Sequence, residues 1–143
     1  MAKHPNVERL REAFEIRQRL PLDDRDRRVF DELLADDVIW HGTGAGPWGR
    51  DYEGKAAVFG LFDEMAKMSG GTMKVWPEEI YADDTHGVII AGLKAEFGGR
   101  HLEWTEAQVF HLAADGTIKE FWGIPDEQEA VDAFFFGGGA ASA

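Results

Sequence analysis

The chain of 143 residues carries 27 Asp and Glu against 15 Lys and Arg, a formal charge of −12, with 44% apolar residues and no Cys. That composition describes one globular domain's worth of chain, while the negative field and the lack of any basic cluster exclude nucleic acid as a partner. Thiolate chemistry and disulfides are excluded outright, no apolar run approaches the ~20 residues of a membrane span, and no signal-like segment opens MAKHPNVERLRE, so a cytoplasmic location is expected.

Residues 5–20 have helical spacing: Val7, Leu10, Phe14 and Arg17 recur beside Ala13, Ile16 and Leu20, with Pro5 suited to the first turn and Pro21 as the stop. Asp23, Asp24 and Asp26 offer caps for a second helix running to about Ala35, burying Val29, Phe30, Leu33 and Leu34. Val38 to His41 is a short strand. The Gly-rich stretch 42–49 follows; no GK[ST] accompanies it, so it is a pocket rim rather than a phosphate cradle. A third helix over 55–68 presents Val58, Leu61, Phe62 and Met65, and Ser69-Gly70-Gly71 ends it.

The period then changes to two. Strands are predicted over 73–82, 87–97, 101–112 and 117–124, and Pro77 marks the first as an edge or bulged strand. Asp126 caps a last short helix carrying Ala130, Val131 and Phe134. Helices first and an antiparallel meander after give an α+β fold, a single domain over 1–136, with 137–143 expected as a disordered Gly/Ala tail.

Four segments carry a family resemblance: LLADDVIWH at 33–41, YEGKAAV at 52–58, VFHLAADGTI at 109–118, and EFW at 120–122. Their order and spacing resemble the nuclear-transport-factor-2-like superfamily, and within it the SnoaL-like polyketide cyclases and ketosteroid-isomerase relatives. The resemblance implies a cone-shaped, curved antiparallel sheet closed by three N-terminal helices, with a short C-terminal helix. It also implies a mostly apolar cavity and a homodimer. The family's catalytic groups are replaced here. Gly123 stands where an Asp follows the last-strand Trp, Gly92-Leu93-Lys94 where Arg-x-Asp is found, and Gly42 where the isomerase base falls. Gln108 and Phe14 occupy the places of its second carboxyl and its Tyr. Any activity must use other groups.

A three-residue loop Gly98-Gly99-Arg100 sets Phe97 opposite His101, and hence Gly92 opposite Glu106 and Lys94 opposite Trp104. One face then carries Val88, Ile90, Gly92 and Lys94 with Trp104, Glu106, Gln108 and Phe110, and the resemblance assigns that face to the cavity. The opposite face, with Ile89, Ala91, Leu93, Thr105, Ala107 and Val109, suits a dimer interface.

Glu106 is the candidate acid or base, in a cavity walled by Trp40, Trp104, Phe110 and Phe121 with room left by Gly92. Two bland readings stand beside it: a structural ion pair with Lys94, or exposure through a one-residue register slip. Gln108 is a candidate to orient a carbonyl, or else bonds within the sheet. His41 is a candidate for proton transfer, although Trp40 and His41 cannot both point inward on a regular strand. Trp40 and Trp104 are the ligand-stacking residues favoured over Phe121 and Trp122. His101 and His111 are too far apart along one strand to share a metal, and no metal or cofactor is expected. Phe134-Phe135-Phe136 is expected to plug the barrel or meet a partner subunit.

The expected function is that of a small-molecule enzyme with cofactor-free acid/base chemistry: isomerisation, cyclisation, dehydration or epoxide opening on a small hydrophobic or polycyclic substrate. Glu106 is its acid or base, tuned by Lys94, with Gln108 or His41 holding an oxyanion. The alternative is a non-catalytic binding or dimeric assembly protein on the same fold.

Overall fold

The computed structural model describes residues 3–18 and 20–137. Helix α1 spans Pro5–Arg17, with Pro5 opening it and the His4 ring accepting from the Asn6 N–H. Helix α2, Asp24–Leu33, is capped by Asp23, whose carboxylate accepts from the Asp26 N–H at 2.8 Å. It ends two residues before the expected Ala35, because Leu34 turns extended and starts strand β1, Leu34–His41. Phe30, buried on α2, packs edge-on against Phe62 of helix α3, Lys55–Ser69. A short strand β2, Asp51–Glu53, lies between β1 and α3.

The remaining strands are β3 (Lys74–Ala82), β4 (His86–Phe97), β5 (Arg100–Leu112) and β6 (Ile118–Pro125). Helix α4, Gln128–Asp132, continues into a π-helical turn, Ala133–Gly137. The strands form one curved, unclosed sheet in the order β2-β1-β6-β5-β4-β3. The α+β class expected from the sequence holds, and one pair within it, β1 with β6, runs parallel. β3 is both an edge strand and bulged, its register shifting between Pro77 and Glu79. No helix among the described residues is long and apolar enough to cross a membrane. Of the predicted tail, positions 138–143 lie outside the described residues.

The β4–β5 hairpin corrects the expected register. Gly98 and Gly99 both have positive φ, 60° and 77°, and Phe97 pairs with Arg100. The loop is therefore a two-residue turn, the form in which positive φ at both central residues follows the twist of the strands. One residue fewer in the loop moves every β4 side chain to the other face. Ile89, Ala91, Leu93 and Ala95 are buried beside Trp104, Gln108 and Phe110, and Lys94 is exposed opposite Glu103. The proposed pairing of Lys94 with Trp104 and of Gly92 with Glu106 is overturned. Ala91 and Leu93 likewise belong to the core and not to the outer face. Gly92 faces outward beneath the Trp76 indole.

The turn sets the register only if both glycines keep their conformation. Replacing Gly99 by Ala adds a Cβ that meets nothing within 4 Å, so the cost is one of backbone strain alone, about 1–2 kcal/mol. Urea unfolding checks this, and Gly98→Asn, which tolerates positive φ, is expected to be close to neutral.

Candidate functional site

Three inward side chains, two residues apart along β5, form a polar row in an apolar wall. The Trp104 indole N–H donates to Glu106 Oε2 at 3.0 Å, and the Gln108 amide N–H donates to Glu106 Oε1 at 2.8 Å. The other end of that amide, Gln108 Oε1, accepts from Nη1 of Arg17 at 3.2 Å. Arg donates only and a carboxylate accepts only, so the amide between them has one consistent orientation. The result is a directed chain, guanidinium to amide to carboxylate.

Arg17 closes the last turn of α1 and is 4% exposed. Its guanidinium carbon lies 5.2 Å from the Phe14 ring centre, 5.4 Å from Trp40, 5.3 Å from Phe62 and 5.9 Å from Phe121. Rings from α1, β1, α3 and β6 thus box the cation at cation–π range. Its Nε is buried and has no hydrogen-bond acceptor among the described residues. Burial pushes the guanidinium down to about 10, with the charge of Glu106 opposing that shift, so it remains a cation at neutral pH.

A cavity of about 80 Å³ lies over this row, with Arg17, Trp40, Trp104, Glu106 and Phe121 in its wall. Its mouth is made by the Gly-rich loop and the C-terminal turn. Trp48 packs on Phe135 and Phe136, and the Ala45 N–H donates to Asp132 at 3.0 Å. Gly123 lines the wall across from Glu106, and a Cβ there would come within 3.0 Å of Oε1.

Of the candidates read from sequence, Glu106, Trp40, Trp104 and Phe121 reach this cavity, and His41 lines its edge. Gln108, Phe14 and Phe110 are fully buried one layer beneath it, Gln108 as the link to Arg17 and the two Phe rings edge to face at 6.1 Å. Trp40 stacks on Phe121 at 3.7 Å, so the two form one aromatic wall. Lys94 does not take part: it is exposed on the outer sheet face. Phe135 and Phe136 wall the cavity, as a barrel plug would. The sequence reading missed Arg17, whose signal was its place on the apolar stripe of α1, three residues beyond Phe14.

His41 sits at the cavity's edge, but its ring points to the outer sheet face and both nitrogens are engaged. Nδ1 meets Asp51 at 2.7 Å and Nε2 meets Glu120 at 2.5 Å, with the ring stacked on Trp122. Burial disfavours its charge, yet the hydrogen bonds and charges of Glu120 and Asp51 outweigh burial and raise its pKa above 6.5. A ring held at both nitrogens ties β2, β1 and β6 together and leaves no nitrogen for a ligand.

A family model described as a SnoaL-like domain matches residues 7–121. No curated protein matches the chain. Among solved structures, Bal32a from a soil-derived mobile gene cassette superposes with a TM-score of 0.82 at 24% identity, covering 91% of this chain and 95% of its own. TerC, co-crystallised with polyporic acid, gives 0.76 at 18% identity, covering 92% and 98%. RV0760c from Mycobacterium tuberculosis, in complex with estradiol-17beta-hemisuccinate, gives 0.67 at 23% identity, covering 85% and 93%. These likenesses carry the fold, and the resemblance read from the sequence is confirmed.

Gln108→Leu removes the acceptor of a buried cation and is expected to cost about 2–3 kcal/mol in chemical denaturation. For His41 the raised folded pKa gives the sign. Its contribution is complete below the unfolded value near ~6.5 and is lost as pH rises through the folded value. The stability gap between the native chain and His41→Gln, followed upward from mildly acidic pH, should therefore narrow.

Proposed function

Because the chain belongs to the SnoaL-like domain family, we propose that its cavity takes a small organic molecule and that Glu106 moves a proton on it without a cofactor. One observation carries the reading. Glu106 stands in a largely apolar cavity with both oxygens oriented by fixed neutral donors, Trp104 and Gln108, and with no direct ion-pair partner among the described residues. Each oxygen retains a second lone pair for a ligand. A positioned carboxylate in a water-poor site is the equipment of general acid/base catalysis, which contributes typically ~10²–10⁴-fold. Isomerisation, cyclisation, dehydration and epoxide opening all fit it. The organic ligands of TerC and RV0760c support the small-molecule reading. The cavity as it stands is small, so a polycyclic ligand requires the Trp48 loop and the Phe135–Phe136 turn to move apart.

The same fold with a silent pocket is the competing function, and Gly123, standing where the family carries an Asp, favours it. Deuterium exchange into small organic carbonyl compounds separates the two. Glu106→Gln is expected to lose exchange by ~10²-fold or more while ligand affinity is kept; unchanged exchange contradicts the catalytic reading.

The proposal extends to a homodimer through the outer sheet face. Ile124 is 55% and Tyr81 57% exposed there, with Ile90, Ala107, Val109 and Trp122 partly buried beside them. Native mass spectrometry should show a dimer for the native chain and a monomer for Ile124→Lys.

A further inference from the structure

We propose that a row of titratable side chains on the outer sheet face governs the pairing of two copies of this chain, the dimer tightening as the imidazoles of His41 and His111 take up protons. The proposal rests on the homodimer reading and adds its regulation.

The strand register lays the outer face out in cross-strand rows. His86 of β4, His111 of β5 and Glu120 of β6 stand side by side, and the row continues through His41 of β1 to Asp51 of β2. Nε2 of His41 meets Glu120 Oε2 at 2.5 Å and Nδ1 of His111 lies 3.6 Å from Glu120 Oε1, so one carboxylate stands between two imidazoles. Trp122 ties this row to the apolar surface, its ring stacked on His41 at 5.0 Å and edge-on to His111 at 5.0 Å. The adjoining rows are Val88, Val109 and Trp122, then Ile90, Ala107 and Ile124. Successive rows lie about 7 Å apart. A dimer contact of ordinary size buries about 800 Å² per partner, a patch reaching ~16 Å from its centre. A second copy seated on Val109 and Ile124 therefore also takes water from His111 and Glu120.

Covering charge is costly unless it is balanced, and protons decide the balance here. With neutral imidazoles, Glu120 and Asp51 are two uncompensated negative charges; with His41 and His111 protonated, two cations stand against those two carboxylates. Burial disfavours a proton on His41, but its bonds to Glu120 and Asp51 outweigh burial and favour one. The remaining groups on this face modify the balance. His86 meets the His111 ring edge-on at 4.6 Å, so a proton on either opposes one on the other, and Asp83 lies 4.0 Å from His86 Nδ1 to counter this. Glu53 on β2 and Glu79 on β3 add negative charge to the face. At the far end Lys94 stands opposite Glu103, which His101 meets at 2.9 Å. With a formal charge of −12 on each chain, protons taken up also lessen the repulsion between copies. Both effects have one sign: association takes up protons, so the dimer weakens as pH rises.

Sedimentation equilibrium at pH ~6 and ~8, on either side of the ordinary imidazole range, tests this. The dimer Kd of the native chain should rise at least ~tenfold between the two. His111→Gln should lose most of that rise, whereas His101→Gln, outside the row, should keep it. Glu120→Gln removes one of the two carboxylates, so at the higher pH its dimer should be tighter than that of the native chain; this decides alone should His111→Gln not fold. A native dimer with the same Kd at both pH values, a rise kept in His111→Gln or lost equally in His101→Gln, or a Glu120→Gln dimer no tighter than the native one overturns the inference and leaves the homodimer standing. A native chain that is monomeric at both pH values overturns the homodimer and the inference together.

Discussion

Arg17 carries a full positive charge into the apolar core, and removing such a group from water costs several kcal/mol unless its surroundings compensate. The compensation here is distributed. Phe14 comes from the same helix, Trp40 from β1, Phe62 from α3 and Phe121 from β6, so the cation is held where four elements meet. Gln108 on β5 supplies the hydrogen-bond acceptor, and Glu106 beyond it supplies the opposing charge. Moving any of these elements breaks a contact that the guanidinium needs. The same set fixes the site, since the amide that satisfies Arg17 is the one that orients Glu106.

Alternation along β5 divides the molecule's chemistry between two faces. Inward lie Trp104, Glu106, Gln108 and Phe110, the polar row and its aromatic support. Outward lie His111 and, across on β6, Glu120 and Trp122, which join His41 and Asp51 in a separate ionic cluster. Among the described residues the two networks share no hydrogen-bonded side chain, so titration of His41, at the cavity's edge, acts first on how β1, β2 and β6 hold together. Keeping Lys94 on the outer face has a further consequence. Among the described residues no ammonium pairs with Glu106, and the cation that its charge reaches, Arg17, is buried and one amide away.

Much of this was legible in the residues because periodicity reports burial. The stripes of α1 and α3 and the meander from β3 to β6 followed from spacing, while the family resemblance assigned the inward set of β5. The Pro77 irregularity announced a bulged edge strand, which β3 is. What was not legible depended on single residues or on distant pairing. Gly98-Gly99-Arg100 fits a two- or a three-residue loop equally on composition, and only φ at both glycines separates them; that one residue sent Lys94 to the wrong face. The parallel pairing of β1 with β6 joins segments about eighty residues apart and leaves no local mark. Arg17 lay in plain view on an apolar stripe, yet a long charged side chain at such a place ordinarily runs out to water. Its burial is set by Gln108 and three rings from other elements, which helical spacing alone does not report.

The central claim is that Arg17 and Glu106 act as one unit through Gln108 although they do not touch. A double-mutant cycle of Arg17→Met and Glu106→Gln, read as unfolding free energy at neutral pH, tests it directly. The account predicts a coupling of about 1 kcal/mol or more, because each substitution strands the other charge in an apolar setting. Strict additivity of the two substitutions would contradict it.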